Sequence, residues 1–200
     1  MKLYHSPTSP FARKVRILIR EKGAANRVSE ELISTMEDPA ALHAANPLGK
    51  IPALVMNDGT SYFDSPLICE YLDVALEGPT FIPASNIERW RVQRLHALAD
   101  GIMDASVSLT FERMRPEAQR SEMWMGRWRR AIERGIAVLE AEVTDLDGAL
   151  DLGGIATGAA LGYLDFRHAG LDWQSKAPEL AGWWKDFAKR PSLVETAPPA

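Results

Sequence analysis

Residues 46–54 of the chain read Asn46-Pro47-Leu48-Gly49-Lys50-Ile51-Pro52-Ala53-Leu54. Pro52 precedes an apolar run, Ala53 to Met56, that predicts a β-strand. A proline at the first residue of a strand has no N–H to give to the sheet. X-Pro bonds are also the only peptide bonds that become cis at modest cost, so Ile51–Pro52 is a candidate cis bond. In that geometry the N–H and C=O of Ile51 would face outward and pair with a peptide-like ligand.

A hairpin and a helix start follow directly. Asn57-Asp58-Gly59 predicts the turn, and Ser61 to Phe63 predicts the returning strand. Ser65 followed by Pro66 predicts the N-cap and the first position of a helix. Because backbone N–H groups at a helix start attract a carboxylate, the segment offers an anion site beside its backbone edge. These features together predict a binding site for a small acidic peptide.

These motifs resemble those of the cytosolic glutathione transferases, and the resemblance runs from residue 1 to about residue 196. In that family the matching proline is cis and its segment pairs with the cysteinyl backbone of glutathione. An acid–serine pair before the next helix holds the γ-glutamyl end. The resemblance therefore implies glutathione binding by Ile51, Pro52, Asp64 and Ser65, with Asp64 in place of the more usual Glu. Lys50 either pairs with the glycyl carboxylate or is an ordinary surface lysine.

Ser9 lies just before Pro10, at the predicted start of the first helix. A thiol placed there meets a hydroxyl donor and the positive end of the helix dipole, and both favour the thiolate. A free thiol, with a pKa of ~8.5, is mostly protonated at neutral pH. In serine-type members of the resembled family the residue at this position activates the glutathione sulfur, so Ser9 is the catalytic candidate. For a bare Ser-Pro pair a helix cap is the more common role, and Thr8 is the nearest rival hydroxyl.

The order of the predicted elements indicates two domains. Strands and helices alternate over residues 1–77, as is typical of a thioredoxin-like α/β domain. Residues 78–83 form a predicted linker, and residues 84–200 predict an all-helical domain whose first helix starts at a capping box over residues 85–88. The resemblance implies the same fold, with the helical domain lining the pocket for the electrophile, and it implies a homodimer.

Composition narrows the classes of function. A net charge of −4 with 46% hydrophobic residues describes a globular protein and gives no reason to expect nucleic acid or an acidic membrane as a partner. No apolar run approaches the ~20 residues of a membrane span. The N-terminus is too short in its apolar part for a signal peptide, so a cytoplasmic location is expected.

The other reactive or charged side chains are expected to have structural rather than catalytic or ligand-binding roles. Cys69 is the single cysteine, which excludes an internal disulfide, and its place inside a predicted helix favours a buried apolar role. The four histidines show no metal-ligand spacing, so no metal is expected. On the first helix Arg13, Arg16 and Arg20 share a face that is expected to meet solvent.

Several functions remain open. The first is a bacterial, serine-type glutathione transferase that joins its cosubstrate glutathione to small hydrophobic electrophiles. A second is a non-catalytic protein of the same fold that binds glutathione or a partner. A third is glutathione-dependent isomerisation or dehalogenation. Disulfide exchange is the weaker hypothesis, because cysteine-type relatives place a nucleophilic Cys where this chain has Thr8 or Ser9.

Overall fold

The structure is a computed structural model that describes residues 1–84 and 86–199. It divides into two compact units: residues 1–89 together with the residues from Pro191 onward, and residues Trp90–Arg190. The last helix therefore groups with the first unit, whereas the sequence placed all of residues 84–200 in one helical domain. The domain boundaries derived from the sequence stay a prediction. Ser85, the first residue of the predicted capping box, lies outside the described residues.

The elements follow one another in this order: β1 (Lys2–His5), α1 (Pro10–Glu21), β2 (Ser29–Leu32), α2 (Ala40–Ala45), β3 (Ala53–Val55), β4 (Ser61–Tyr62), α3 (Ser65–Ala75), α4 (Asn86–Met114), α5 (Glu122–Ala141), α6 (Leu152–Arg167), α7 (Trp173–Lys176), α8 (Pro178–Phe187) and α9 (Pro191–Glu195).

The first unit is built on a four-stranded sheet in the order β2-β1-β3-β4. β1 and β2 are parallel, which requires a crossover connection, and α1 supplies it. β3 runs antiparallel to β1, and β4 returns antiparallel to β3 through the predicted turn. With the helices that follow in the second unit, this confirms the predicted class: a thioredoxin-like domain and a helical domain.

Helices cover both faces of this sheet because its strands bury side chains on both. On one face Tyr4 packs with Leu42 and Ala45 of α2 and with Ala53 of β3. Ile51 is partly buried against the same cluster. On α1, the residues that recur at helical spacing are fully buried: Ala12, Val15, Leu18 and Ile19.

The arginines of α1 do not all face solvent, so that expectation is wrong. Arg13 and Arg16 are buried, at 7% and 9% exposure. Arg13 donates through Nη2 to the carbonyl of Leu193 (2.9 Å), which ties α1 to α9. Arg16 donates through Nε to Glu30 (2.7 Å), and Arg20 bonds the same carboxylate (2.5 Å). A basic face on this helix is thus used for packing within the first unit.

The predicted linker, residues 78–83, is anchored by a buried ion pair. The Asp73 carboxylate accepts hydrogen bonds from the backbone N–H groups of Phe81 and Ile82, each at 2.9 Å. Lys22 pairs with the same carboxylate at 2.9 Å, and both side chains are almost fully buried. Since Lys22 follows α1 and Asp73 lies near the end of α3, this cluster joins the two helices at their C-terminal ends.

The second unit packs its helices around α6, which is buried along most of its length. A Cβ on Gly153 would lie 2.9 Å from Leu95 of α4, and one on Gly158 would lie 2.5 Å from Phe187 of α8. Glycine at these positions allows close approach of the neighbouring helices. Asp151 caps α6 by accepting from the N–H of Gly154 at 2.9 Å.

A buried polar cluster surrounds His168 in the second unit. Its Nδ1 lies 3.1 Å from Nη1 of Arg113, and its Nε2 lies 2.9 Å from the carbonyl of Ser106 and 3.0 Å from Oγ1 of Thr110. Because a guanidinium only donates and a carbonyl only accepts, the proton belongs on Nε2 and the ring is neutral. Burial lowers the pKa of His168, and the nearby arginines lower it further.

Candidate functional site

The sheet register brings three predicted site segments to one edge of the first unit. β1 ends at His5, and the chain then leads to Ser9 at the start of α1. β3 begins just after Ile51–Pro52, and β4 ends just before Asp64-Ser65. Because β3 is antiparallel to both β1 and β4, the end of β1, the start of β3 and the end of β4 share one edge.

The Ile51–Pro52 bond is cis, as the sequence predicted. Within the described chain, the backbone N–H and C=O of Ile51 make no hydrogen bond to another backbone group. Its side chain meanwhile packs against the cluster of Tyr4, Leu42 and Ala53. Ile51 therefore has an anchored side chain and available backbone groups, which is the arrangement a peptide ligand requires. The Phe63–Asp64 bond is also cis, which nothing in the sequence indicated.

The loop before Ile51 is organised by Asn46, a residue to which the sequence reasoning assigned no role. The side chain of Asn46 is buried, with Nδ2 donating to the carbonyl of Lys50 at 2.8 Å and Oδ1 accepting from the N–H of Leu48 at 3.0 Å. Gly49 takes a φ of +63°, which suits glycine. The signal that was available is an Asn ahead of a Pro-x-Gly turn, a residue type that bonds its own backbone. Lys50 itself is exposed.

Ser9 is the N-cap of α1. Its backbone is extended, and its Oγ accepts from the N–H of Ala12 at 3.2 Å. A serine hydroxyl that accepts one hydrogen bond still has its own proton to donate. The rival hydroxyl, that of Thr8, lies 3.1 Å from Oγ of Ser6 within the preceding turn. The hydroxyl at the start of α1 is therefore that of Ser9, while the hydroxyl of Thr8 contacts Ser6 in the preceding turn.

The start of α3 has a different character. The helix begins at Ser65, one residue earlier than predicted, and Asp64 takes the N-cap position. The Asp64 side chain is exposed and makes no capping hydrogen bond, while Ser65 is only 1% exposed. Pro66 has no N–H, so it removes one donor from the first turn. The other first-turn amides receive no side-chain cap from Asp64. This leaves a partial positive charge at the same edge of the sheet.

The side chain at the end of β1 is kept neutral. His5 is 4% exposed, and its Nδ1 has no hydrogen-bond partner among the described residues. Burial lowers the pKa of His5, and the positive charge of Arg16 lowers it further. Burial alone would raise the pKa of Glu30, but hydrogen bonds from Arg20 and Arg16 outweigh it and hold that pKa low. The group just before the Ser9 turn therefore carries no charge at neutral pH.

Two other expectations concern groups outside this edge. Cys69 is fully buried in α3, as predicted, and lies away from the helix start. In residues 1–84 and 86–199 no cluster of three or more His, Cys, Asp or Glu side chains has the arrangement of a metal site. Over the same residues, no helix has the length and apolar character needed to cross a membrane.

Comparison with known proteins identifies related chains. Residues 3–80 match the family model of the glutathione S-transferase N-terminal domain. YibF of Escherichia coli K12, an uncharacterized GST-like protein, is 40% identical over 202 residues, covering 100% of this chain and 99% of YibF. A glutathione transferase family member from Pseudomonas fluorescens Pf-5, solved with bound glutathione, has a TM-score of 0.96 and 44% identity, covering 100% of this chain and 99% of that one. The maleylacetoacetate isomerase of Pseudomonas aeruginosa is 29% identical over 153 residues, covering 72% of this chain and 70% of the isomerase.

Proposed function

The chain belongs to the glutathione S-transferase family, and we propose that it binds glutathione as a cosubstrate and activates the thiol for attack on small hydrophobic electrophiles. The observation that carries the proposal is the start of α3. Asp64 belongs to a residue type that normally caps its own helix, yet its side chain makes no such bond. The first-turn amides beside the buried Ser65 are thereby left for an external carboxylate.

Each part of glutathione has a matching group at this edge. The γ-glutamyl carboxylate binds the start of α3 and the hydroxyl of Ser65, and the Asp64 carboxylate attracts the neighbouring ammonium. The cysteinyl unit pairs with the N–H and C=O of Ile51, so that glutathione lies against the protein like one added strand. Lys50, exposed on the same loop, supplies a positive charge for the glycyl carboxylate. A Pseudomonas fluorescens relative, 44% identical to this chain, was solved with bound glutathione, which supports glutathione as the ligand.

Ser9 acts on the sulfur in this proposal. Its Oγ already accepts from the N–H of Ala12, so its proton is free to be donated to the glutathione sulfur. That hydrogen bond and the positive end of α1 favour the thiolate, and the thiol proton is released to solvent. The thiolate electron pair then forms an S–C bond with the electrophile. In a substitution the leaving group departs with its bonding electrons. In a conjugate addition the electrons move into the acceptor, and the resulting carbanion takes up a proton from solvent.

Glutathione-dependent isomerisation is the second candidate, because the maleylacetoacetate isomerase of Pseudomonas aeruginosa is among the relatives. In that chemistry the thiolate adds to a conjugated double bond and is expelled again after rotation. The same groups would serve, but glutathione would not be consumed. A non-catalytic protein that only binds glutathione would also use the Ile51 and Ser65 groups.

The test is calorimetric titration with glutathione, followed by assays with an aryl halide, an alkyl halide, an α,β-unsaturated carbonyl and a cis-enedione. Binding together with thiol loss that depends on the protein supports the transferase. Isomerisation of the enedione without thiol loss supports the second candidate. Binding without turnover of any probe indicates a binding protein, and failure to bind glutathione overturns the proposal.

We further propose a homodimer, as the family membership suggests. An exposed apolar residue on α3 is consistent with it, since Val74 is 85% exposed. Light scattering is expected to give about twice the chain mass of 22.1 kDa. A mass near that of one chain over a wide concentration range would contradict the dimer.

A further inference from the structure

The amide side chain of Asn46 has two separable functions in the loop before Ile51. Its Oδ1 accepts from the N–H of Leu48 at 3.0 Å, and the backbone carbonyl of Asn46 accepts from the N–H of Gly49 at 2.9 Å. These two bonds close the turn. Its Nδ2 instead donates to the carbonyl of Lys50 at 2.8 Å, beyond the turn itself. The side chain itself is buried, with 1% exposure, although Leu48 and Lys50 are exposed.

The carbonyl of Lys50 and the N–H of Ile51 belong to the same peptide group. The cis bonds of the described chain are Ile51–Pro52 and Phe63–Asp64, so the Lys50–Ile51 bond is trans. In a trans peptide the C=O and the N–H point in opposite directions in one plane. A hydrogen bond from Asn46 to the carbonyl therefore fixes the direction of the Ile51 N–H. It also polarises that N–H, because hydrogen bonds along a chain strengthen one another.

We propose that Asn46 is a positioning residue for glutathione, which aims the N–H of Ile51 at the cysteinyl unit by holding the Lys50–Ile51 peptide plane. The inference rests on the proposed function and deepens it at the same site. The side chain of Ile51 is held by the Tyr4 cluster on one side, and Asn46 holds the preceding peptide group. Two anchors thus fix a donor that makes no backbone bond within the described chain.

Asn46→Asp separates the two functions. The introduced carboxylate still accepts from the N–H of Leu48, but it has no proton for the Lys50 carbonyl. At pH 7.5 we expect the KM and Kd for glutathione to rise about ten-fold, the upper range for one lost hydrogen bond. We expect kcat at saturating glutathione to change less than about two-fold. Asn46→Ala, which loses both functions, is expected to raise KM at least as much. A purely structural role would instead lower the active fraction and kcat.

The pH dependence of Asn46→Asp gives a second readout. A buried carboxyl beside a carbonyl has a raised pKa, and once protonated it can donate as the native amide does. Lowering the pH from 7.5 to about 5 should therefore bring the Kd of Asn46→Asp for glutathione back toward the wild-type value. Asn46→Ala has no such group and should show no recovery relative to wild type.

Two further variants keep the test decisive. Asp73→Asn disturbs the buried ion pair elsewhere in the first unit, so it should lower stability and leave the KM for glutathione unchanged. Gly49→Ala strains the same loop through its φ of +63° and should raise KM about two- to three-fold, even where the Asn46 variants fold poorly.

These measurements separate a failure of the role proposed for Asn46 from a failure of the proposed function. Wild type that binds no glutathione overturns both. Wild type that binds glutathione, with Asn46→Asp and Gly49→Ala at wild-type Kd and KM at pH 7.5, overturns the role of Asn46 and leaves the proposed function standing. A Kd that is raised in Asn46→Asp and recovers at low pH, without recovery in Asn46→Ala, supports the role of Asn46.

Discussion

Helices α1 and α3 begin at the same edge of the sheet, but their starts are satisfied in different ways. At α1, Oγ of Ser9 accepts from the N–H of Ala12. At α3, Asp64 occupies the equivalent N-cap position and its side chain makes no such bond. A start that is capped by its own hydroxyl has a proton to offer to a sulfur. A start that lacks a cap offers backbone N–H groups to a carboxylate.

The residue types do not explain this difference. Asp is at least as good a cap as Ser, and in the second unit Asp151 caps α6 through the N–H of Gly154. Both Asp64 and Asp151 have an extended backbone, and what differs is the side chain, which is exposed at Asp64 and bonded to the N–H of Gly154 at Asp151. In the proposed function, the unused capping residue accompanies the site for a carboxylate and the used one accompanies the site for the sulfur.

Ser9→Ala should have the largest effect and would break the α1 side of the comparison. Removing the hydroxyl removes a donor to the sulfur, and the return of the thiol pKa by one or two units to ~8.5 lowers the thiolate fraction, and with it kcat/KM, about 8- to 25-fold at pH 7. The pH profile of kcat/KM should move to higher pH, while the Kd for glutathione stays within about two-fold. Steady-state kinetics from pH 6.5 to 9 measure all three.

Thr8→Ala and Ser9→Thr are the matched controls for that variant. Ser9→Thr keeps a hydroxyl and a cap and should retain more activity than Ser9→Ala. If Thr8→Ala shifts the pH profile and Ser9→Ala does not, the catalytic hydroxyl has been assigned one residue too late.

Ser65→Ala tests the α3 side. It removes a buried hydroxyl beside the uncapped amides, and a lost hydrogen bond to a charged group costs ~1.5–3 kcal/mol, so the affinity for glutathione should fall about ten-fold or more. Helix stability should change little, because Asp64 rather than Ser65 occupies the N-cap. Calorimetry that gives unchanged affinity would refute the γ-glutamyl site.

Asp64→Ala and Asp151→Ala sharpen the comparison when measured together. Asp151 caps α6 and also binds Arg91 at 2.6 Å, so its loss should cost roughly 1–2 kcal/mol of unfolding free energy with glutathione affinity unchanged. Asp64 caps nothing, so its loss should weaken glutathione binding several-fold with a smaller change in stability. Urea denaturation and calorimetry on both variants decide this. Equal stability losses would mean that Asp64 does act as a cap.

The smallest expected effect is a dependence of folding stability on pH. It sets the pH range in which the kinetic profile of Ser9→Ala is interpreted. The pKa values of His5 and His168 are lowered in the folded chain, first by burial. The unfolded chain therefore binds more protons below pH ~6.5, so stability is complete above that pH and declines as the pH falls through the lowered pKa values. Urea denaturation at pH 5 to 8 should show this decline. His168→Gln should make it shallower, and a decline of the same steepness would contradict this role of His168.

The sequence predicted those features that are local. The cis Ile51–Pro52 bond, the hairpin turn after Met56 and the cap at Ser9 each follow from a few adjacent residues, and the structure has all three. The capping state of Asp64 could not be predicted in this way. It depends on the conformation of the Asp64 side chain, which neighbouring residue types do not determine.

Long-range contacts account for the other differences. Arg13 was expected to face solvent because it shares one helix face with Arg16 and Arg20, but its acceptor, the Leu193 carbonyl, lies 180 residues away in the sequence. Asn46 was overlooked for a different reason. Its Leu48 bond is a common turn contact, and the bond to the Lys50 carbonyl gains its importance from Ile51, the next residue, which we propose pairs with glutathione.

The return of α9 to the first unit has a consequence for synthesis on the ribosome. Residues 90–190 are translated between the two parts of that unit. At about 5–20 residues per second, this interval lasts roughly 5–20 s. Until Leu193 has emerged, Arg13 cannot donate to its carbonyl. We expect nascent chains arrested before residue 191 to be more sensitive to protease within α1 than the released chain of 200 residues. The unit that is synthesised first is thus completed last.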